Sequence, residues 1–241
     1  LGRAGTFKDF EINSSYLDET LTLKVYLPEN YSPLYKYHIA IMQDGDDYFQ
    51  MGRVATLSDK LHEKKRIADT IFVGIHYKDK YDRQDKYHPN GEKQDAYIKF
   101  LVNEVAPLLD EELPGYHMGS GRTLMGDSLG GTVSLMTALK YPSTFGNVIM
   151  QSPFVNERVM EKVQNSKDLS SLAIYHTIGN EETDVPTTDG DRKDFVTPNH
   201  ELRDVLNRKP LTYFFHELDG RHTWKYWQQD MERALVTMFR P

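Results

Sequence analysis

Leu21, Leu23, Val25 and Leu27 alternate with Thr22, Lys24 and Tyr26. That period of two marks a strand with one buried face. Residues 6–14 are placed to pair with it as a hairpin turning near Leu17-Asp18, and Pro28, Asn30, Ser32 and Pro33 close the section. Downstream the pattern changes to short apolar runs at 37–43, 70–75, 122–125, 147–151, 173–178 and 211–218. Helical spacing separates several of them. Val54, Leu57 and Leu61 share one face, as do Ile98, Leu101, Val102, Val105, Leu108 and Leu109, and later Trp227, Met231, Ala234, Leu235 and Met238. Residues 77–93 and 180–198 are polar and charged and read as long loops, which in a compact domain are often functional. The pattern predicts an α/β protein: a mostly parallel central sheet, an antiparallel N-terminal hairpin and helices on both faces. No repeat or shift of composition divides it, so 1–241 is expected to form a single domain.

Composition narrows the partners. The 241 residues carry a formal charge of −7. No basic stripe is present to neutralise phosphates, which argues against nucleic acid. No apolar run approaches the ~20 residues of a membrane span. Cysteine is absent, which excludes disulfides, thiolate nucleophiles and zinc–thiolate sites. The stretch Leu1-Gly2-Arg3-Ala4-Gly5 lacks the apolar core of a signal peptide. The expectation is a cytoplasmic protein, any leader removed earlier being invisible in this chain. Oligomeric state is not legible.

One segment carries chemistry. Gly126-Asp127-Ser128-Leu129-Gly130-Gly131 fits Gly-x-Ser-x-Gly, with an apolar run before it and a helix-like run after it. Strand, tight turn and helix form the context of a nucleophile elbow, in which small glycines let the turn and the helix approach the strand. A serine hydroxyl needs a base within hydrogen-bond reach and an acid to orient that base. On this scaffold the order is Ser, then Asp or Glu, then His, each beyond a strand end.

Of nine histidines, His38, His76, His176 and His216 fall in or at the ends of strands, His62 and His200 on helices, and His88 and His117 before the serine. His222, in Asp219-Gly220-Arg221-His222-Thr223-Trp224, follows the last strand and precedes the last helix. The acid belongs to Gly179-Asn180-Glu181-Glu182-Thr183-Asp184, after the 173–178 strand. Glu182, three residues beyond Gly179, suits a turn pointing back over the strand end, and Asp184 is the alternative. The oxyanion hole is expected from the amide of Leu129 and, after the 37–43 strand, that of Asp46 in Asp44-Gly45-Asp46-Asp47. The three aspartates there lack the spacing and terminal glutamate of a calcium loop, so neither a metal nor an organic cofactor is expected.

With these residues in view, the chain resembles the putative-esterase family of α/β-hydrolases, which includes esterase-D-like enzymes, enterochelin-esterase-like siderophore hydrolases, feruloyl esterase domains and the antigen 85 acyltransferases. The resemblance covers nearly the whole chain. It rests on Met42-Gln43-Asp44-Gly45 with Tyr48-Phe49, on Phe72-Val73-Gly74-Ile75 with Arg83 and Asp85-Lys86-Tyr87, on the serine motif, on Gln151-Ser152-Pro153, on Gly179-Asn180-Glu181-Glu182, and on Gly220-Arg221-His222-Thr223-Trp224 with Trp227. It implies an α/β-hydrolase fold and a serine carboxylic-ester hydrolase acting on a small-molecule ester through Ser128, His222 and Glu182. Esterase-D-like members more often carry aspartate at the acid turn, so Glu182 points to the siderophore-esterase branch. Acyl transfer of the antigen 85 type, cleavage of a siderophore trilactone, and a non-catalytic binding module on the same fold are the rival readings. No role is assigned to the charged loop 187–193.

Overall fold

The computed structural model describes residues 4–241. The start of the stretch Leu1 to Gly5, read above for a signal peptide, lies outside them. Strands β1 (Thr6–Ser14) and β2 (Glu19–Leu27) form the antiparallel hairpin, and β2 pairs antiparallel with β4 (Thr70–Ile75). From β4 the sheet runs parallel through β3 (His38–Met42), β5 (Arg122–Asp127), β6 (Asn147–Gln151), β7 (Ala173–Gly179) and β10 (Thr212–Leu218). The spatial order is β1-β2-β4-β3-β5-β6-β7-β10. The direction of winding reverses between β3 and β5, and a crevice at such a switch point is where open α/β sheets bind ligands.

Side-chain alternation sorts the strands onto two cores. Ile39, Ile41, Ile71, Val73, Leu124, Val148 and Ile174 belong to one buried cluster. The intervening Ala40, Met42, Phe72, Met125, Ile149 and Tyr175 belong to another. On the first face pack α6 (Leu129–Lys140), α7 (Glu157–Asn165), α8 (Val196–Leu206) and the helical run 94–112. On the second pack α2 (Val54–Glu63) and α9 (Trp224–Met238), the latter through Met231, Ala234 and Leu235. Among the described residues no helix is long and apolar enough to cross a membrane.

Three segments differ from the sequence reading. Residues 77–93 are not all loop: α3 (Lys80–Tyr87) forms there, its N-cap Asp79 accepting the Tyr81 and Asp82 amides at 2.8 and 3.0 Å. The helix escaped notice because its inward face is charged: Lys86 is buried by pairing with Glu19 and with Asp82, the latter at 2.8 Å. The predicted helix through Leu101 and Val105 is α4 (Gln94–Phe100), a π-helical turn (Leu101–Val105) and α5 (Ala106–Glu112). Pro107 explains the widened turn, since its ring would clash with a carbonyl four residues back and it offers no amide hydrogen. Residues 180–198 contain a small antiparallel pair, β8 (Val185–Pro186) with β9 (Arg192–Lys193), and the start of α8.

Candidate active site

Ser128 stands between β5 and α6 with φ 50° and ψ −123°, a strained conformation for a residue with a side chain. The surroundings hold it there. Its amide donates to Gln151 O at 2.9 Å, and its carbonyl accepts the Thr132 amide at 3.1 Å. Gly126 permits the turn: a Cβ at that position would lie 2.1 Å from the Gly130 carbonyl carbon. The strand–turn–helix expected from Gly126 to Gly131 is therefore present.

His222 and Glu182 meet this serine. His222 Nε2 lies 3.0 Å from Ser128 Oγ, and His222 Nδ1 lies 2.6 Å from Glu182 Oε2. Facing a carboxylate, Nδ1 carries the proton, so Nε2 is free to accept from the serine hydroxyl. Glu182 is 1% exposed, and its other oxygen is also occupied. Oε1 accepts from Ser152 Oγ at 2.6 Å and from the Gly179 amide at 2.9 Å. Ser152 in turn accepts the Trp227 indole N–H at 2.9 Å. The Trp227 and Phe195 rings lie edge-on to the imidazole, at centroid distances of 4.9 and 4.6 Å. The alternative acid, Asp184, is not brought to His222. Its side chain is 66% exposed and pairs with Arg192 at 2.8 Å, which holds its carboxyl below the usual range.

The expected oxyanion donors sit in first helical turns, where amides lack an intrahelical acceptor. Leu129 opens α6 and lines the cleft. Asp46 is the second residue of α1 (Gly45–Gln50). Its carboxylate pairs with Lys24 at 3.1 Å, and the neighbouring Asp47 lines the cleft. Between these two turns lies a buried ionic group that sequence reasoning missed. Arg83 of α3 donates Nε–H and Nη2–H to Asp44 at 2.8 and 2.7 Å, and Asp127, beside Asp44, is buried directly before Ser128. Asp127 occupies the variable position of the serine motif, where the pattern gives no signal.

The cleft above Ser128 has a volume of about 380 Å³. Its lining includes Trp224, Trp227 and Met51, Arg83, Gln84 and His88, and Val185 to Asp189 with Lys193. The charged loop 187–193 thus forms a wall of the cleft. Its excursion from the sheet closes on itself, because the Phe195 amide donates to Glu182 O at 2.9 Å. Inside it, Asp189 pairs with Lys193 at 3.0 Å and is bonded by Thr187. Among the described residues no group of three or more His, Asp or Glu side chains is placed to hold a metal ion.

A parallel-rich sheet wound about a switch point, with a strand–turn–helix serine near one strand end, is the architecture of the α/β-hydrolases. The chain matches the putative-esterase family over residues 14–238 and belongs to it. It is 51% identical over 234 residues to the uncharacterized protein YjcH of Bacillus subtilis (strain 168), spanning 97% of this chain and 98% of that one. In structure it is similar to a ferulic acid esterase, with a TM-score of 0.82 at 16% identity over 98% of both chains. An enterobactin esterase from Shigella flexneri gives a TM-score of 0.81 at 18% identity, over 96% of this chain and 59% of that one. The protein is an esterase with the α/β-hydrolase architecture.

Proposed function

We propose that this esterase is a serine carboxylic-ester hydrolase that works through an acyl-enzyme. The observation that carries the reading is the continuous relay from Ser128 Oγ through His222 to Glu182, at 3.0 and 2.6 Å. Ser128 attacks the ester carbonyl while His222 Nε2 takes its proton. Glu182 holds the imidazole in the Nδ1–H tautomer and balances the imidazolium that forms. The Leu129 and Asp46 amides stabilise the oxyanion. His222 then protonates the departing alcohol, and water, activated by the same nitrogen, releases the acid. No metal or organic cofactor enters these steps. A cleft of about 380 Å³ suits a small-molecule ester, since ligand sites commonly span ~300–1,000 Å³.

Two measurements test the proposal: hydrolysis of p-nitrophenyl esters of rising chain length, and covalent labelling by a fluorophosphonate, each in the wild type and Ser128→Ala. Labelling confined to the wild type and a loss of several orders of magnitude in kcat are expected. A folded wild type that neither labels nor hydrolyses would instead favour a binding module, and near-wild-type hydrolysis by Ser128→Ala would remove the assigned nucleophile.

A further inference from the structure

The two turns expected to supply oxyanion donors belong to different strands, and something must hold them in register. β3 and β5 are neighbours, with Met42 opposite Met125, so two residues further on Asp44 comes opposite Asp127. Asp44 adopts a left-handed φ of 56° at the start of the α1 turn, and Asp127 is the last residue of β5. The two residues are 1% and 5% exposed, respectively, and one Arg83 nitrogen, Nη2, reaches both Asp44 Oδ2 at 2.7 Å and Asp127 O at 3.4 Å. Two carboxylates offer four acceptors and no donor, so any hydrogen bond between them requires a proton on one of them.

The surroundings say which one. Arg83 gives both Nε–H and Nη2–H to Asp44. Toward Asp127 it reaches only the backbone oxygen, at 3.4 Å. Asp127 Oδ1 is buried and receives no donor. Other polar groups around the pair include Asp47 and Tyr48 from α1 and Tyr77 and Tyr87 flanking Arg83. Of these, Arg83 alone is positive. With both aspartates ionised, a buried cluster would hold one guanidinium against two carboxylates, and burying an unpaired charge is among the costliest arrangements in a protein. Burial first, and then the negative charge of Asp44, push the Asp127 carboxyl well above the usual range.

We propose that Asp127 retains its proton and donates it to Asp44, so that one acid–carboxylate hydrogen bond, anchored by Arg83, staples the Ser128 turn to the Asp46 turn. Asp127 is a positioning residue: although it borders the cleft, it acts by keeping the Leu129 and Asp46 amides convergent. The kinetic consequence rests on the serine-esterase reading, whereas the protonation state does not. Removing one oxyanion donor outright costs ~10²–10³ in kcat. Loosening a donor costs less, about 10- to 100-fold.

The test compares wild type, Asp127→Asn and Asp127→Ala. Infrared difference spectra at pH 7.5 should show the carbonyl band of a protonated carboxylic acid in the wild type and its loss in Asp127→Asn. In ester hydrolysis Asp127→Ala should lower kcat about 10- to 100-fold with KM within about threefold. Asp127→Asn, whose amide still donates to Asp44, should recover kcat to within about fivefold of wild type. A folded wild type without the band overturns the proposal, as does Asp127→Ala with wild-type kcat. Should Asp127→Ala fail to fold, the band and the Asn variant still decide. Failure of the Ser128 assignment would leave the band in place, so the two readings fail separately.

Discussion

Replacing Glu182 by glutamine keeps the size of the side chain and changes one atom. The structure dictates how that amide settles. Ser152 Oγ already accepts the Trp227 N–H at 2.9 Å, so its own proton points at Oε1, 2.6 Å away. The Gly179 amide donates to the same atom at 2.9 Å. Two donors therefore fix the amide oxygen at the Oε1 position and turn the NH₂ group toward His222 Nδ1. The imidazole must then carry its proton on Nε2, against Ser128 Oγ, and the lone pair that should accept the serine proton is gone. Flipping the amide restores the tautomer but leaves two buried donors facing an NH₂, at about 1–3 kcal/mol each. The sum, about 2–6 kcal/mol, lowers kcat roughly 30-fold to 10⁴-fold at ~1.4 kcal/mol per decade. KM and the unfolding midpoint should change little. The double variant Ser152→Ala with Glu182→Gln removes one pin and should be faster than Glu182→Gln alone. The assay is p-nitrophenyl acetate hydrolysis beside urea unfolding. A Glu182→Gln enzyme within threefold of wild-type kcat, or a double variant slower by the product of the singles, would refute the reasoning.

Asp184→Asn should keep kcat/KM within about twofold of wild type, because its carboxylate is exposed and engages Arg192, not His222. Gly126→Ala should destabilise the fold by several kcal/mol in urea unfolding, or prevent soluble expression, since its Cβ would meet helix backbone at 2.1 Å. His176 is fully buried between Tyr213 Oη at 2.8 Å and Asn199 Oδ1 at 2.7 Å, and burial lowers its pKa to about 4. Between pH 6.5 and 4 the unfolded chain binds this proton and the folded one does not, so stability should fall with pH by up to about 3 kcal/mol. In His176→Gln the difference in unfolding free energy between pH 7 and pH 5 should shrink; an unchanged difference would remove the assignment.

The alternation of residues 21–27 and the apolar runs at 37–43, 70–75 and 173–178 were legible because each strand buries side chains in a fixed rhythm. Ser128, His222 and Glu182 were legible as a chain order tied to strand ends, and the structure joins these three by hydrogen bonds. What stayed hidden was polar and buried. Lys86 and Arg83 fell in a segment read as a polar loop, yet pairing with Glu19 and Asp44 carries them inward. No periodicity records such long-range pairing. Ser152 was visible only as part of a strand-end dipeptide, and its contact with Glu182 spans thirty positions of sequence. The charged 187–193 stretch carried no readable role in sequence, because its ion pair closes within the loop and only the fold brings Thr187, Asp189 and Lys193 to the cleft beside Val185 and Phe195.

The excursion carrying β8 and β9 leaves and returns through one backbone bond, between Phe195 and Glu182. Its neck is fixed by the acid turn, and its body touches the cleft from the side. Lengthening a closed loop costs little, since closure entropy grows only with the logarithm of its length. Residues 183–194 are thus a replaceable cassette. Substrate range can drift, or be re-engineered by exchange with a relative's loop, while the machinery at the neck keeps its geometry.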